Sequence, residues 1–265
     1  MQPPLIIDID NPEFPSTLNP IASHSKIANF YKYRPPYTVD FFSKLSAKLK
    51  SSKNTNFLDL CCGRGELASG ISIYAKKIYA VDGSKEMLSN SIQKNNVIYS
   101  LANVNTDELI FTEKFDHFLI GSAIHWIKQE ALKRIIDSYL KRNGTVVITY
   151  PSFLFDPEEF SKPLASLNAR FGKNWSDSVD LWGRNKLNQC GFKEINQVRI
   201  LKNVEFDINF LFMNQLSYAY REFYEKVMTE PEAYKNEFIN TISPFAKNGR
   251  LQAKLVNWAI IYSSN

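Results

Sequence analysis

The sequence predicts an α/β fold: a doubly wound, mainly parallel seven-stranded sheet with helical insertions in the C-terminal half. Three observations carry this expectation. Short apolar runs alternate with helical periodicity between residues 56 and 150, a glycine-bearing turn joins the first run to its helix, and an acid closes the second run. Strand and helix alternating at that interval build βαβ units, whose crossovers favour parallel strands.

The elements follow in order. Residues 1–20 carry five prolines and are expected to wrap the surface or to stay mobile. A helix is expected from about Thr38, where Phe41, Phe42, Leu45 and Leu49 recur at helical spacing. Asn56–Leu60 is the first strand, and a helix follows its glycine turn from Glu66 to about Ala75. Lys77–Val81 is the second strand, after which Ser84 can cap a helix running through Met87 and Ile92. Val97–Leu101 and Phe115–Gly121 are the next strands, Gln129–Leu140 a helix and Gly144–Tyr150 a β-branched fifth strand. Past Pro151 the rhythm loosens into aromatic-rich stretches, with strands expected at Val198–Phe206 and Lys254–Tyr262. One domain over residues 1–265 is the simplest organisation. Its cofactor-binding core would lie at about 25–150, with helical substrate-side insertions at 151–190 and 207–245 and the final strand at 254–262.

The most informative stretch is Phe57-Leu58-Asp59-Leu60-Cys61-Cys62-Gly63-Arg64-Gly65-Glu66. Glycine permits backbone conformations and close ligand approach that a Cβ would block, and the helix behind it offers unpaired N–H groups. Asp82 ends the second strand, where a carboxylate can accept from both hydroxyls of a ribose. Together they imply an adenosine-bearing cofactor at the carboxyl edge of the sheet. Gly63-x-Gly65-x-x-Ala68 also fits a loose dinucleotide pattern. Asp59 argues against that reading, because a negative strand end opposes a pyrophosphate but suits a ligand bearing an ammonium group. The unit also begins some 55 residues into the chain, behind helical material that could cover the amino-acid half of S-adenosylmethionine.

Leu58-Asp59-Leu60-Cys61-Cys62-Gly63-Arg64-Gly65 resembles the first motif of the class I S-adenosylmethionine-dependent methyltransferases, usually written LDLGCGTG. Val81-Asp82-Gly83-Ser84-Lys85-Glu86-Met87-Leu88 resembles their second, ribose-binding motif. Phe30-Tyr31-Lys32-Tyr33-Arg34-Pro35-Pro36-Tyr37 is similar to the Y-x-x-x-RPxYP element of a branch that includes trans-aconitate methyltransferase-like small-molecule enzymes, with Thr38 where that branch has proline. The resemblance covers about residues 25–150 well and the remainder loosely. It implies a Rossmann-like fold, S-adenosylmethionine as methyl donor and S-adenosylhomocysteine as product.

The resemblance also implies a cofactor site built from Asp59, Cys61, Gly63, Arg64 and Gly65 in the turn, then Asp82, Gly83, Ser84 and Met87 after the second strand. Ala102 and Asn103 would meet the adenine, Asn103 accepting from its amino group or else satisfying its own turn. Ser122, Ala123 and His125 end the fourth strand in an A-x-HW pattern shared with small-molecule members. There His125 is the candidate catalytic residue, able to take a proton from a hydroxyl or to hydrogen-bond a carboxylate; with Trp126 it could instead simply pack the strand end. Arg34 could clamp the cofactor carboxylate, with Tyr31 or Tyr33 as a lid, or the segment is a proline-ended surface turn. Cys61 stands where the family often has glycine. Cys61 and Cys62 read as small packing residues rather than redox or metal groups.

Other classes are disfavoured. The net charge of +5 comes from 32 Lys+Arg against 27 Asp+Glu, and its densest basic runs are only pairs, unlike a nucleic-acid footprint. No Asn/Asp-Pro-Pro-Tyr/Phe element occurs at the fourth strand end, which argues against methylation of DNA bases and exocyclic amines. His24, His117 and His125 lack metal-ligand spacing, so no metal is expected. No apolar run is long enough to span a bilayer, and the start does not read as a signal peptide, so a cytoplasmic monomer or homodimer is expected. The few acid–base candidates suit a carboxylate or other O-nucleophile as acceptor, with Arg170 and Arg184 possible carboxylate anchors. The alternatives are an RNA- or protein-modifying methyltransferase, suggested by the basic pI near 8.9, a non-catalytic S-adenosylmethionine-binding protein, and a nicotinamide-dependent oxidoreductase.

Overall fold

A computed structural model describes residues 5–6, 28–155, 158–171, 179–218, 223, 226–227 and 229–264. It divides into two compact units. One, the sheet unit, comprises Pro36–Pro151, Asp177–Ile200 and Asn257–Asn265; the other, the aromatic unit, comprises Met1–Pro35, Ser152–Ser176 and Leu201–Val256.

The strands are β1 (Leu5–Ile6), β2 (Asn56–Leu60), β3 (Lys77–Asp82), β4 (Val97–Leu101), β5 (Phe115–Gly121), β6 (Leu140–Phe155), β7 (Phe192–Asp207) and β8 (Arg250–Ser264). Among the described residues they run in the order β1-β7-β8-β6-β5-β2-β3-β4. The pairings of β2 with β3 and β5, of β3 with β4, and of β5 with β6 are parallel. The seven expected strands are thus present, and two-residue β1 adds an eighth, parallel to β7. From β2 the chain winds outward through β3 to β4, whereas β5 returns to the other side of β2. The topological switch therefore lies between β2 and β5, where doubly wound sheets open a ligand crevice at their carboxyl ends.

Apolar helix stripes cover both faces of the sheet unit. On β5, Phe118 and Ile120 pack with Leu132, Ile135 and Ile136 of α4 (Gln129–Tyr139), given that α1 is Val39–Leu49, α2 Glu66–Ile71 and α3 Lys85–Ser89. Leu119, pointing the opposite way, packs with Phe41 and Leu45 of α1 and Leu67 and Ile71 of α2. Burial of each such side chain is worth roughly 1.5–3 kcal/mol, which outweighs the modest helix propensity of these short segments. All five residues of β2 are buried, the mark of a central parallel strand covered on both sides.

Two helices stop earlier than their periodicity suggests. Expected to reach about Ala75, α2 ends at Ile71 and a 3₁₀ turn covers Ser72–Tyr74. Asn96 Nδ2 donates to the Ser72 and Ala75 carbonyls at 2.9 and 3.0 Å, holding the chain out of the helix. Expected to run through Ile92, α3 ends at Ser89 because the Ile92 N–H is drawn to the Arg64 carbonyl at 2.9 Å. Conversely, β6, β7 and β8 all extend beyond their expected ends.

The remaining helices are α5 (Glu158–Arg170), α6 (Val179–Gln189), α7 (Ile208–Leu216) and α8 (Pro231–Ile242). In the aromatic unit, Phe153, Phe206 and Phe210 form a chain of rings at 5.0 Å spacing, and Phe155 meets Phe160 at 4.5 Å. Phe212, Tyr234 and Phe238 belong to the same core. A buried polar thread crosses it. Tyr234 OH donates to Asn168 Oδ1 at 2.9 Å, Asn168 Nδ2 to Gln215 Oε1 at 3.0 Å, Gln215 Nε2 to Asn214 Oδ1 at 3.2 Å, and Asn214 Nδ2 to the Tyr33 carbonyl at 2.8 Å. Phe153, Phe155, Phe210 and Phe212 thus pack in the core, whereas half-buried Tyr218 lies against Arg34; Trp175, Tyr220 and the side chain of Trp182 lie outside the described residues.

Candidate functional site

The site begins at the end of β2. Asp59 is buried, and its Oδ2 accepts the Ala68 N–H at 3.1 Å, fastening α2 to the strand it follows. Its Oδ1 is buried without a hydrogen-bond partner. Burial, reinforced by the negative charge of Asp82 and Glu66 and opposed only by the Ala68 N–H, holds the Asp59 carboxyl well above the usual range.

The chain then turns sharply. Cys61 has φ +55° and Gly65 φ +82°. The left-handed conformation costs a non-glycine residue about 1–2 kcal/mol, so glycine would sit at the Cys61 position more cheaply. Burial pushes the Cys61 thiol up to about 12 and raises Cys62 as well, which suits inert packing groups. Gly65 is required twice over. A Cβ there would also stand 2.1 Å from the hydroxyl of Tyr99, which is anchored to the Ile92 carbonyl at 2.7 Å.

Asp82 gathers the second half of the site. Its Oδ2 accepts the Gly63 N–H and its Oδ1 the Ser84 N–H, both at 2.8 Å, joining the glycine turn to the loop after β3. Ser84 caps α3 through its Oγ, which accepts the Met87 N–H at 3.2 Å, and Met87 is buried beneath. A Cβ built on Gly83 meets nothing closer than 3.7 Å. Arg64, half-buried, pairs with Glu66 at 3.4 Å. Ala102 donates its N–H to the Asp82 carbonyl at 3.0 Å, placing the end of β4 beside this loop. Asn103 is exposed, and its Oδ1 accepts the Asn105 N–H at 3.0 Å, so it does close its own turn.

The end of β5 completes the arrangement. Ser122 has φ +51° and is held by its N–H on the Thr149 carbonyl at 2.9 Å. Strained backbone therefore stands at the ends of both strands that flank the switch point, Cys61 after β2 and Ser122 after β5. Ala123 is buried, and half-buried His125 lies on a 3₁₀ turn, Ile124–Trp126, with its ring 4.8 Å from that of Trp126. Tyr37 OH and Thr149 Oγ1 share a hydrogen bond of 2.5 Å behind Gly121.

Tyr31 and Arg34 belong to the aromatic unit. There Arg34 donates Nε–H and Nη2–H to the Ser217 carbonyl at 3.1 and 2.8 Å and stacks 3.9 Å from Tyr218 and 5.3 Å from Tyr31. Arg170 pairs with Glu237 at 2.8 Å and Arg184 with Glu194 at 3.4 Å, so both already hold a protein carboxylate. Thr38 caps α1 and gives its N–H to buried Asn257 Oδ1 at 2.8 Å. The motif reading missed Asn105, Tyr99 and Lys186. No spacing rule marks them, because each acts on backbone brought near only by the fold.

These residues fit an adenosine-bearing sulfonium donor. A carboxylate is fixed at the second strand end, a turn with little side chain precedes it, and Asp59 keeps a buried oxygen unmatched. A glycine turn at the switch point, tied to an acid at the next strand end, is the arrangement by which a doubly wound sheet holds an adenosine-bearing ligand. Residues 57–144 match the family model for a methyltransferase domain, and the chain resembles the class I S-adenosylmethionine-dependent methyltransferases. It is 26% identical over 156 residues to a probable S-adenosylmethionine-dependent methyltransferase of Saccharomyces cerevisiae, a match covering 56% of this chain and 52% of that protein. The match thus spans about half the length of that relative. Its fold is similar to that of a type II methyltransferase candidate from Anaeromyxobacter dehalogenans, with a TM-score of 0.67 at 14% identity over 88% of this chain and 97% of the other. A methyltransferase candidate from Bacillus halodurans has a TM-score of 0.52 at 16% identity, over 84% and 97% of the two chains.

Proposed function

We propose that this chain binds S-adenosylmethionine at the carboxyl edge of its sheet and passes the methyl group to a small-molecule acceptor. A carboxylate or another oxygen nucleophile is the favoured acceptor class. The observation that carries the reading is the double hold of the Gly63 and Ser84 N–H groups on Asp82 beside the β2/β5 switch. The small-molecule choice draws on the Tyr-Arg-Pro and His-Trp resemblance and on the absence of a clustered basic stripe. No helix among the described residues is long and apolar enough to cross a membrane, and we place the enzyme in the cytoplasm.

When bound, S-adenosylmethionine supplies an electrophilic methyl on a sulfonium whose charge disappears as the methyl leaves. The protein's task is therefore alignment and exclusion of water. Asp82, its plane set by two loop N–H groups, would hold the ribose hydroxyls. Asp59 would offer its unmatched oxygen to the donor's ammonium group. The Ser122–Ala123 backbone would line the methyl-transfer end of the site, and His125 would orient the acceptor oxygen. A carboxylate acceptor is already ionised at neutral pH and needs only orientation; an alcohol would need the imidazole to take its proton.

Calorimetry with S-adenosylmethionine, S-adenosylhomocysteine and NAD tests the cofactor, and labelled S-adenosylmethionine with a metabolite extract tests transfer. Binding of NAD in place of both sulfur ligands would sink the reading. Label appearing only in RNA or protein, with a steep salt dependence, would move the acceptor to a macromolecule. His125→Ala should lower turnover more than cofactor affinity, whereas equal loss would reduce His125 to packing.

A further inference from the structure

The turn that carries His125 is held from outside itself. Ile124–Trp126 is a single 3₁₀ turn whose own bonds reach back only to the Ala123 carbonyl, from the Trp126 N–H at 2.9 Å, and to the Ile124 carbonyl, from the Ile127 N–H at 3.3 Å. The carbonyls of Ile124, Trp126 and Ile127 take further donors. Side chains from two other elements meet them. Lys186 of α6 donates from Nζ to the Ile124 carbonyl at 2.9 Å and also to that of Ile127. Asn105, in the loop after β4, donates Nδ2–H to the Trp126 carbonyl at 2.9 Å and accepts the Lys128 N–H on Oδ1 at 2.7 Å. Gln129 returns the tie by donating Nε2–H to the Lys186 carbonyl at 3.0 Å.

The expense of this arrangement points to a purpose. Half-burying an ammonium group costs solvation, which an apolar side chain at Lys186 would avoid while still packing α6 against the sheet. Close packing is already secured nearby, since a Cβ on Gly183 would lie 2.9 Å from Ile148 Cδ1 and 2.9 Å from Tyr150 OH. What the cation adds is directional: two charge-assisted bonds to the carbonyls on either side of the His125–Trp126 pair.

We propose that Lys186 and Asn105 are positioning residues that lock the Ile124–Ile127 turn, so that the His125 imidazole meets the methyl acceptor in one orientation. The effect on turnover rests on the proposed role of His125; the locking of the turn does not. The test uses the 265-residue chain, which has three histidines, so their ¹³Cε1 resonances can be resolved and that of His125 assigned with His125→Gln. In Lys186→Met the His125 resonance should shift or split while that of His117 stays in place. Turnover of labelled S-adenosylmethionine with a metabolite extract should fall by about tenfold or more, as misplaced reacting groups do. The dissociation constant of S-adenosylhomocysteine should change by less than about twofold, because the ribose site is not touched. Lys186→Arg, which keeps cation and donors, should recover both readings. Should Lys186→Met fail to fold, Asn105→Ala must displace the same resonance. An unmoved His125 resonance, or one moving equally with His117, overturns the proposal. The resonance is read without donor or acceptor. Its displacement in an enzyme that shows no turnover would therefore leave the locked turn standing and remove the methyl-transfer reading instead.

Discussion

At the scale of single residues, Asp59 is the carboxyl most at odds with its surroundings. It is buried, has one N–H for company and faces two further acids. The folded carboxyl keeps its proton to a higher pH than the unfolded one, so folding loses ground as pH rises from the ordinary carboxylate range upward. Asp59→Asn retains an oxygen for the Ala68 N–H and removes the titration. It should be more stable than the parent at neutral pH, the gap closing toward about pH 3, and should bind S-adenosylmethionine more weakly. Thermal unfolding across pH and calorimetry read the two effects, and a variant less stable at neutral pH would show that Asp59 is held ionised. Asp82→Ala removes the proposed ribose acceptor and strands the Gly63 and Ser84 N–H groups, so affinity for S-adenosylmethionine should weaken by about 1–3 kcal/mol. Unchanged affinity would refute the assignment. Both acids were legible in the sequence because strand-end chemistry is local. Asn105 and Lys186 were not, since their partners are carbonyls that carry no side-chain signature.

At the scale of elements, caps explain where helices begin better than periodicity explains where they end. Thr38 and Ser84 stand at the N-caps of α1 and α3, and both were recognisable as starts. The ends of α2 and α3 were set by Asn96 and by the Arg64 carbonyl, contacts formed only after the sheet closes. Thr38 does more than cap its helix, because its own N–H is also used. Thr38→Ala loses a long capping bond, worth about 0.5–2 kcal/mol. Thr38→Pro should cost more, because it also removes the N–H that satisfies buried Asn257, a loss of about 1–3 kcal/mol. Urea unfolding of the two variants decides the order; a proline variant at least as stable as the alanine one would mean that Asn257 finds another donor.

At the scale of the whole molecule, the half read well from the sequence is the half whose strands are buried on both faces and so appear as unbroken apolar runs. β7 shows why the remainder was harder: between Phe192 and Val198 it exposes Lys193, Glu194, Ile195 and Gln197, leaving no alternation to detect. The central strands also carry a titrating group of their own. His117 of β5 lies against the Phe57 ring at 5.1 Å and bonds through Nδ1 to Thr145 Oγ1 at 2.8 Å. Burial, assisted by Lys141 and opposed by Asp116 and a backbone contact at Leu49, pushes it down to about 4. Its neutral form is favoured in the folded state, so its contribution is complete above the ordinary histidine range and is lost as pH falls toward about 4. The shift from 6.5 to about 4 corresponds to about 3 kcal/mol, opposite in sign to the trend from Asp59. His117→Gln should flatten the acid limb of the stability curve while leaving the neutral limb governed by Asp59. Denaturant unfolding between about pH 7 and 4 measures the slope, and an unchanged slope in His117→Gln would show that other groups drive acid unfolding of this sheet.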